Sequence, residues 1–76
     1  MVLTMVVKNT DDGYTAEVPS ISGCESWAHK EEDAINNVLE LVNFYLKLSK
    51  EIGITVERSA KKKNTVIYKL LIARKN

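Results

Sequence analysis

Apolar residues change their rhythm three times along this chain. Residues 2–8 (VLTMVVK) are rich in β-branched types, with Leu3, Met5 and Val7 on one alternating face and Val2, Thr4 and Val6 on the other. Neither face is strongly polar, so the run predicts a central strand and not an exposed edge. Asp12-Gly13 is expected to supply the positive φ of a hairpin turn. Residues 14–18 (YTAEV) then alternate cleanly, with Tyr14, Ala16 and Val18 inward and Thr15 and Glu17 outward. Pro19 has no N–H to donate and ends that strand. Ile21 is the apolar residue of the following loop and predicts a plug over the end of the core. Residues 24–28 (CESWA) predict a third strand. Its small residues Cys24, Ser26 and Ala28 lie under a helix, which leaves Glu25 and Trp27 on the opposite face.

From Glu31 to Ile52 the period becomes helical, with no Pro or Gly inside and Gly53 in place as a C′ glycine. Glu31, Glu32 and Asp33 at the start, and Lys47 and Lys50 near the end, match the helix dipole. Ala34, Val38, Leu41, Tyr45, Leu48 and Ile52 form one stripe. Ile35, Leu39, Val42 and Leu46 form a second, rotated by about 100°. Together they span about half the cylinder, whereas a helix on one sheet needs little over 100° of apolar arc. The surplus predicts self-association through Leu39 and Leu46 on one side of the arc and Phe44 beyond the other, or through strand edges at residues 65–73; the alternative is a monomer whose segment after Gly53 folds back to cover the helix. Residues 54–57 predict a short extended piece, 58–64 (RSAKKKN) a polar loop, and 65–73 (TVIYKLLIA) a final strand with Val66, Tyr68, Leu70 and Ile72 on one face. The fold class is therefore α+β: an antiparallel sheet in βββαβ order with one long helix on one face. A single domain spans residues 1–76, with its core in 2–52.

Composition narrows the function classes. Eleven Lys and Arg against ten Asp and Glu give a formal charge of +1, short of the clustered excess usual for a phosphate-driven nucleic-acid binder. The single cysteine, Cys24, allows neither an intramolecular disulfide nor a multi-cysteine zinc site. The apolar run at the N-terminus is too short for a membrane span or signal core, so a cytoplasmic protein without membrane attachment is expected. A chain of this length buries only about 60% of its unfolded surface, which favours recruitment of partners.

The stretch Asp12-Gly13-Tyr14-Thr15-Ala16-Glu17-Val18-Pro19, followed by Ser20-Ile21-Ser22-Gly23-Cys24 and the helix start Glu31-Glu32-Asp33-Ala34-Ile35, resembles the HicB antitoxin family over about residues 2–50. The resemblance implies a partial RNase H-like fold and a HicA-type partner, a small RNA-cleaving toxin that the antitoxin blocks. Where the family usually places a capping Thr or Ser, this chain has Ala28-His29-Lys30, a loss of about 1 kcal/mol. Some two dozen residues follow the helix, too few for the operator-binding module of many relatives. No operator DNA binding is expected from this chain.

Candidate chemistry is sparse. Cys24 and His29 fall on opposite sides of one strand and would not meet as nucleophile and base. Asp11 and Asp12 lie in a turn and Glu17 and Glu25 on a solvated face. A two-metal site needs carboxylates converging on ions about 4 Å apart. No catalytic residue, metal or cofactor is expected. Lys61-Lys62-Lys63 reads as a solvated run without an aromatic neighbour. Trp27 with Glu25 and Glu17 is the expected partner-binding set, because an exposed tryptophan flanked by carboxylates complements a basic RNA-cleaving surface. The competing readings are Trp27 packed beneath the last strand or a loop or in a self-association contact, a stand-alone self-associating regulatory domain, and a small RNA-binding module.

Overall fold

The first strand, apolar on both faces, takes a strand neighbour on each side. The computed structural model describes residues 1–74. Its elements are β1 (Val2–Asn9), β2 (Tyr14–Glu17), β3 (Glu25–Ala28), α1 (Glu31–Leu46), β4 (Ile52–Lys62) and β5 (Thr65–Arg74). All five strands form one antiparallel sheet in the order β3-β2-β1-β5-β4. β1 is central, as its sequence requires. The architecture is α+β, and the expected βββαβ order is corrected to βββαββ.

The added strand comes from residues read as a short extended piece and a polar loop. β4 runs for 11 residues and pairs with β5 throughout, with a register irregularity between Arg58 and Ala60. The turn is only Lys63 and Asn64, with Lys63 at φ 43°. β5, expected as a strand edge available for self-association, is enclosed between β1 and β4; the sheet edges are β3 and β4.

The helix also ends earlier than its apolar stripe suggests. Lys47 adopts φ 52°, ψ 47°, the Leu48 N–H donates to the Asn43 carbonyl at 3.1 Å, and the Lys47 N–H donates to the Phe44 carbonyl. This is a Schellman-type close with lysine at the left-handed position. Leu48 and Ile52 leave the helix yet still pack on the core. Gly53 therefore lies in β4 and is not a helix stop, and no basic residue occupies the last helical turn. At the other end Lys30 is the N-cap and makes no side-chain capping bond.

The core lies between α1 and one face of the sheet. Met5, Val7, Ala16, Val18, Cys24, Ala34, Val38, Val42, Leu70 and Ile72 form its buried cluster. The helix covers β3 and β2 and reaches β1 at its flank, so β5 and β4 extend beyond it. Cys24 sits beneath the helix as expected, its Sγ 3.9 Å from the Val38 carbonyl. Burial pushes its thiol pKa up, against a smaller opposing effect from a backbone hydrogen bond at Val18.

Candidate partner-binding site

Alternation along β2 and β3 decides which side chains share the helix-free face. Thr15 pairs with Trp27 and Glu17 with Glu25, so both carboxylates and the indole project from the same side of the sheet. Across β1 and β5 the glutamate row continues through Val6 and Ile67, and the Trp27 row through Lys8 and Thr65. Val6, Ile67 and Leu71 are half-buried here without a covering element, beside exposed Val2. The result is an open sheet face on which the apolar pairs Val6–Ile67 and Val2–Leu71 flank Thr4 and Lys69, whose Nζ donates to the Thr4 hydroxyl at 3.1 Å, bordered at the β3 edge by Trp27 and two carboxylates.

Trp27 is 43% exposed, which leaves much of the indole available while its base is fixed. Its ring lies against Gly13 of the β1–β2 turn and meets His29 edge-on, with centroids 4.7 Å apart at 71°. His29 Nδ1 is 3.3 Å from the Asp12 carbonyl oxygen. Gly13 takes an ordinary negative or extended φ, contrary to the positive φ expected of it; among the glycines only Gly23 is at positive φ. Its role is close approach, since a methyl group at Gly13 would lie 2.5 Å from the Ala28 carbonyl oxygen and 2.7 Å from the Trp27 ring. The loop Thr10–Gly13 closes with the Thr10 N–H donating to the Gly13 carbonyl at 2.8 Å.

The residues expected to mediate self-association are dispersed. Leu39 and Leu46 are partly buried and packed against the core, whereas Phe44 is 74% exposed and touches Tyr45 edge-on. They do not form one patch. A groove of about 440 Å³ lies between the Leu39–Asn43 flank of the helix and residues Ile52 to Thr55.

Lys61 and Lys62 of the lysine run belong to β4 and only Lys63 lies in the turn, and the run does have an aromatic neighbour. Lys61 and Lys63 line a cavity of about 140 Å³ with Tyr14, Glu31, Asn9 and Asn64. Tyr68, on the same side of the sheet, has its phenol pKa raised chiefly by desolvation, with Glu31 raising it further and Arg58 lowering it. Among the described residues no three His, Cys, Asp or Glu side chains converge as a metal site. No helix among them is long and apolar enough to cross a membrane.

Val6, Ile67 and Leu71 were not among the candidates from sequence, although the apolar second face of residues 2–6 signalled Val6. Comparison with known proteins found no matching family model and no matching solved structure. A UPF0150 protein of Helicobacter pylori (strain J99 / ATCC 700824) is 32% identical over 73 residues, spanning 96% of this chain and 97% of that protein. Near-complete coverage of both chains means that the likeness extends over strands, helix and final hairpin together: this chain belongs to the UPF0150 family.

Proposed function

We propose that this chain is a HicB-like antitoxin domain that binds and occludes a small HicA-type RNase toxin and performs no chemistry itself. The observation that carries this reading is the helix-free face. Trp27, Glu25 and Glu17 stand together beside the half-buried Val6 and Ile67. An RNA-cleaving protein must present cations to phosphate, and a carboxylate-flanked indole offers such a surface both charge and desolvated contact area. The order of three strands followed by a helix supports this reading, and β4 is a strand that the βββαβ order did not contain.

The test is capture and inhibition of a HicA-type RNase. Trp27→Ala should weaken binding by about 2 kcal/mol, roughly thirtyfold, and change thermal stability far less. Unchanged affinity together with a large fall in thermal stability would make Trp27 a core residue and remove the reading's main support.

Absence of hydrolysis is a separate expectation. The purified protein should leave RNA and DNA intact in the presence of Mg²⁺ or Mn²⁺, because Asp11, Asp12, Glu17 and Glu25 do not form a converging cluster. Gel assays on radiolabelled strands check this. Cleavage that persists through further purification and disappears in Glu17→Ala or Glu25→Ala overturns it.

A further inference from the structure

We propose that β4 pairs antiparallel with β4 of a second copy, across a two-fold axis at Thr55, to make one continuous ten-stranded sheet. β4 is a sheet edge 11 residues long, so a row of backbone N–H and C=O groups faces away from β5. Natural edges are usually blunted by lysines, bulges or shortness. Here the blunting is confined to one half. The register irregularity lies between Arg58 and Ala60, with Lys61 and Lys62 beyond it. The regular part, Ile52 to Arg58, has Thr55 at its midpoint and no charge before Glu57.

Charge permits a second copy in this register, and an axis at Val56 would draw the irregularity between Arg58 and Ala60 into the paired stretch. Pairing about Thr55 sets Ile54 opposite Val56, Gly53 opposite Glu57 and Ile52 opposite Arg58, with Thr55 opposite itself. No like charges meet, and a threonine pair with flanking aliphatic pairs is favourable in antiparallel sheets. Shifting the axis to Ile54 would bring Glu51 against Glu57 and Lys50 against Arg58. Shifting it to Glu57 would oppose that carboxylate to itself. Ile52, Ile54, Val56 and Arg58 all lie on the helix side, where β4 and β5 extend beyond α1. Val56, 37% exposed in one copy, would come to lie beside Ile54 of the other, at the groove formed by Leu39, Asn43 and residues 52–55. Isologous contact of this kind closes as a dimer and cannot propagate. β3 and Trp27 are at the opposite edge of each sheet, so the two Trp27 faces remain open in the pair. The pairing does not depend on the antitoxin reading.

Sedimentation equilibrium across micromolar concentrations should show a reversible dimer. Thr55→Lys, at an exposed position, should keep the circular dichroism spectrum and raise the dimer dissociation constant about tenfold or more, since it opposes two ammonium groups. Oxidised Thr55→Cys should form a disulfide-linked dimer, because directly opposite Cα atoms stand about 4.5–5.5 Å apart. Glu57→Cys should not, its two copies being offset by four residues along the strands, about 13 Å. A strictly monomeric wild type, a dimer indifferent to Thr55→Lys, or equal cross-linking of both cysteine variants would overturn the proposal. Capture of the RNase partner by Thr55→Lys protein reports on the Trp27 face alone, which keeps the two readings distinguishable.

Discussion

Leu70→Ala is expected to lower stability by about 3–4 kcal/mol and leave the protein substantially unfolded at modest denaturant. Leu70 is fully buried in β5, between Leu3 on β1 and Val56 on β4 in the register of the sheet. It is one of the largest wholly enclosed side chains; the others of that group are Met5, Val7, Val18, Val38 and Val42. Four of those five are valines, so few neighbouring atoms can move in to fill the space it vacates. At about 0.05–0.15 kcal/mol per residue, a domain of this size holds roughly 4–11 kcal/mol in total. Removing a third or more of that is close to the limit. Urea unfolding followed by circular dichroism measures it, with a lower midpoint at an unchanged slope. Phe44→Ala, at a site 74% exposed, should change the midpoint by under about 0.5 kcal/mol. A comparable loss at Phe44 would mean that the ring is covered in solution.

The strands at residues 14–28 and the start of the helix were legible because each buries one clear face. Tyr14, Ala16 and Val18 alternate with Thr15 and Glu17, and Ala16 and Val18 are buried as that alternation requires, whereas Tyr14 is half-buried like Thr15. Cys24 lies under the helix and Trp27 on the far side for the same reason. The helix end was hidden by the core itself. Leu48 and Ile52 continue a helical spacing because they return to the same apolar cluster after the chain has turned at Lys47. Periodicity records which residues are buried, not the path that brings them there. β4 was hidden for the opposite reason: past Ile54 this edge strand buries little, and from Thr55 to Lys62 every residue is exposed. Lysines that protect an edge are indistinguishable in sequence from lysines in a loop. The candidate site was half legible. Trp27, Glu25 and Glu17 followed from strand alternation, whereas nothing in the alternation alone said that the face carrying Val6, Ile67 and Leu71 would be the one without a helix.

Gly13→Ala should destabilise the protein by about 2–3 kcal/mol and also disturb the candidate partner face. The added methyl would lie 2.5 Å from the Ala28 carbonyl oxygen, a backbone atom held by the pairing of Tyr14 with Ala28. It would also lie 2.7 Å and 2.9 Å from Cζ2 and Cε2 of Trp27. The carbonyl cannot retreat without loosening the β2–β3 ladder, whereas the indole can swing outward and lose its edge-on contact with His29. Both responses should follow, so the Trp27 fluorescence should shift to the red as the unfolding midpoint falls. Comparison with the double variant separates the two. In a Trp27→Ala background the ring clash is gone and only the carbonyl clash remains, so Gly13→Ala should cost about 1 kcal/mol less there than in the wild type. Strict additivity of the two substitutions, with unshifted emission in Gly13→Ala, would show that the indole does not rest on this turn. The fixed orientation of Trp27, on which its role as a binding anchor depends, would then have to be abandoned.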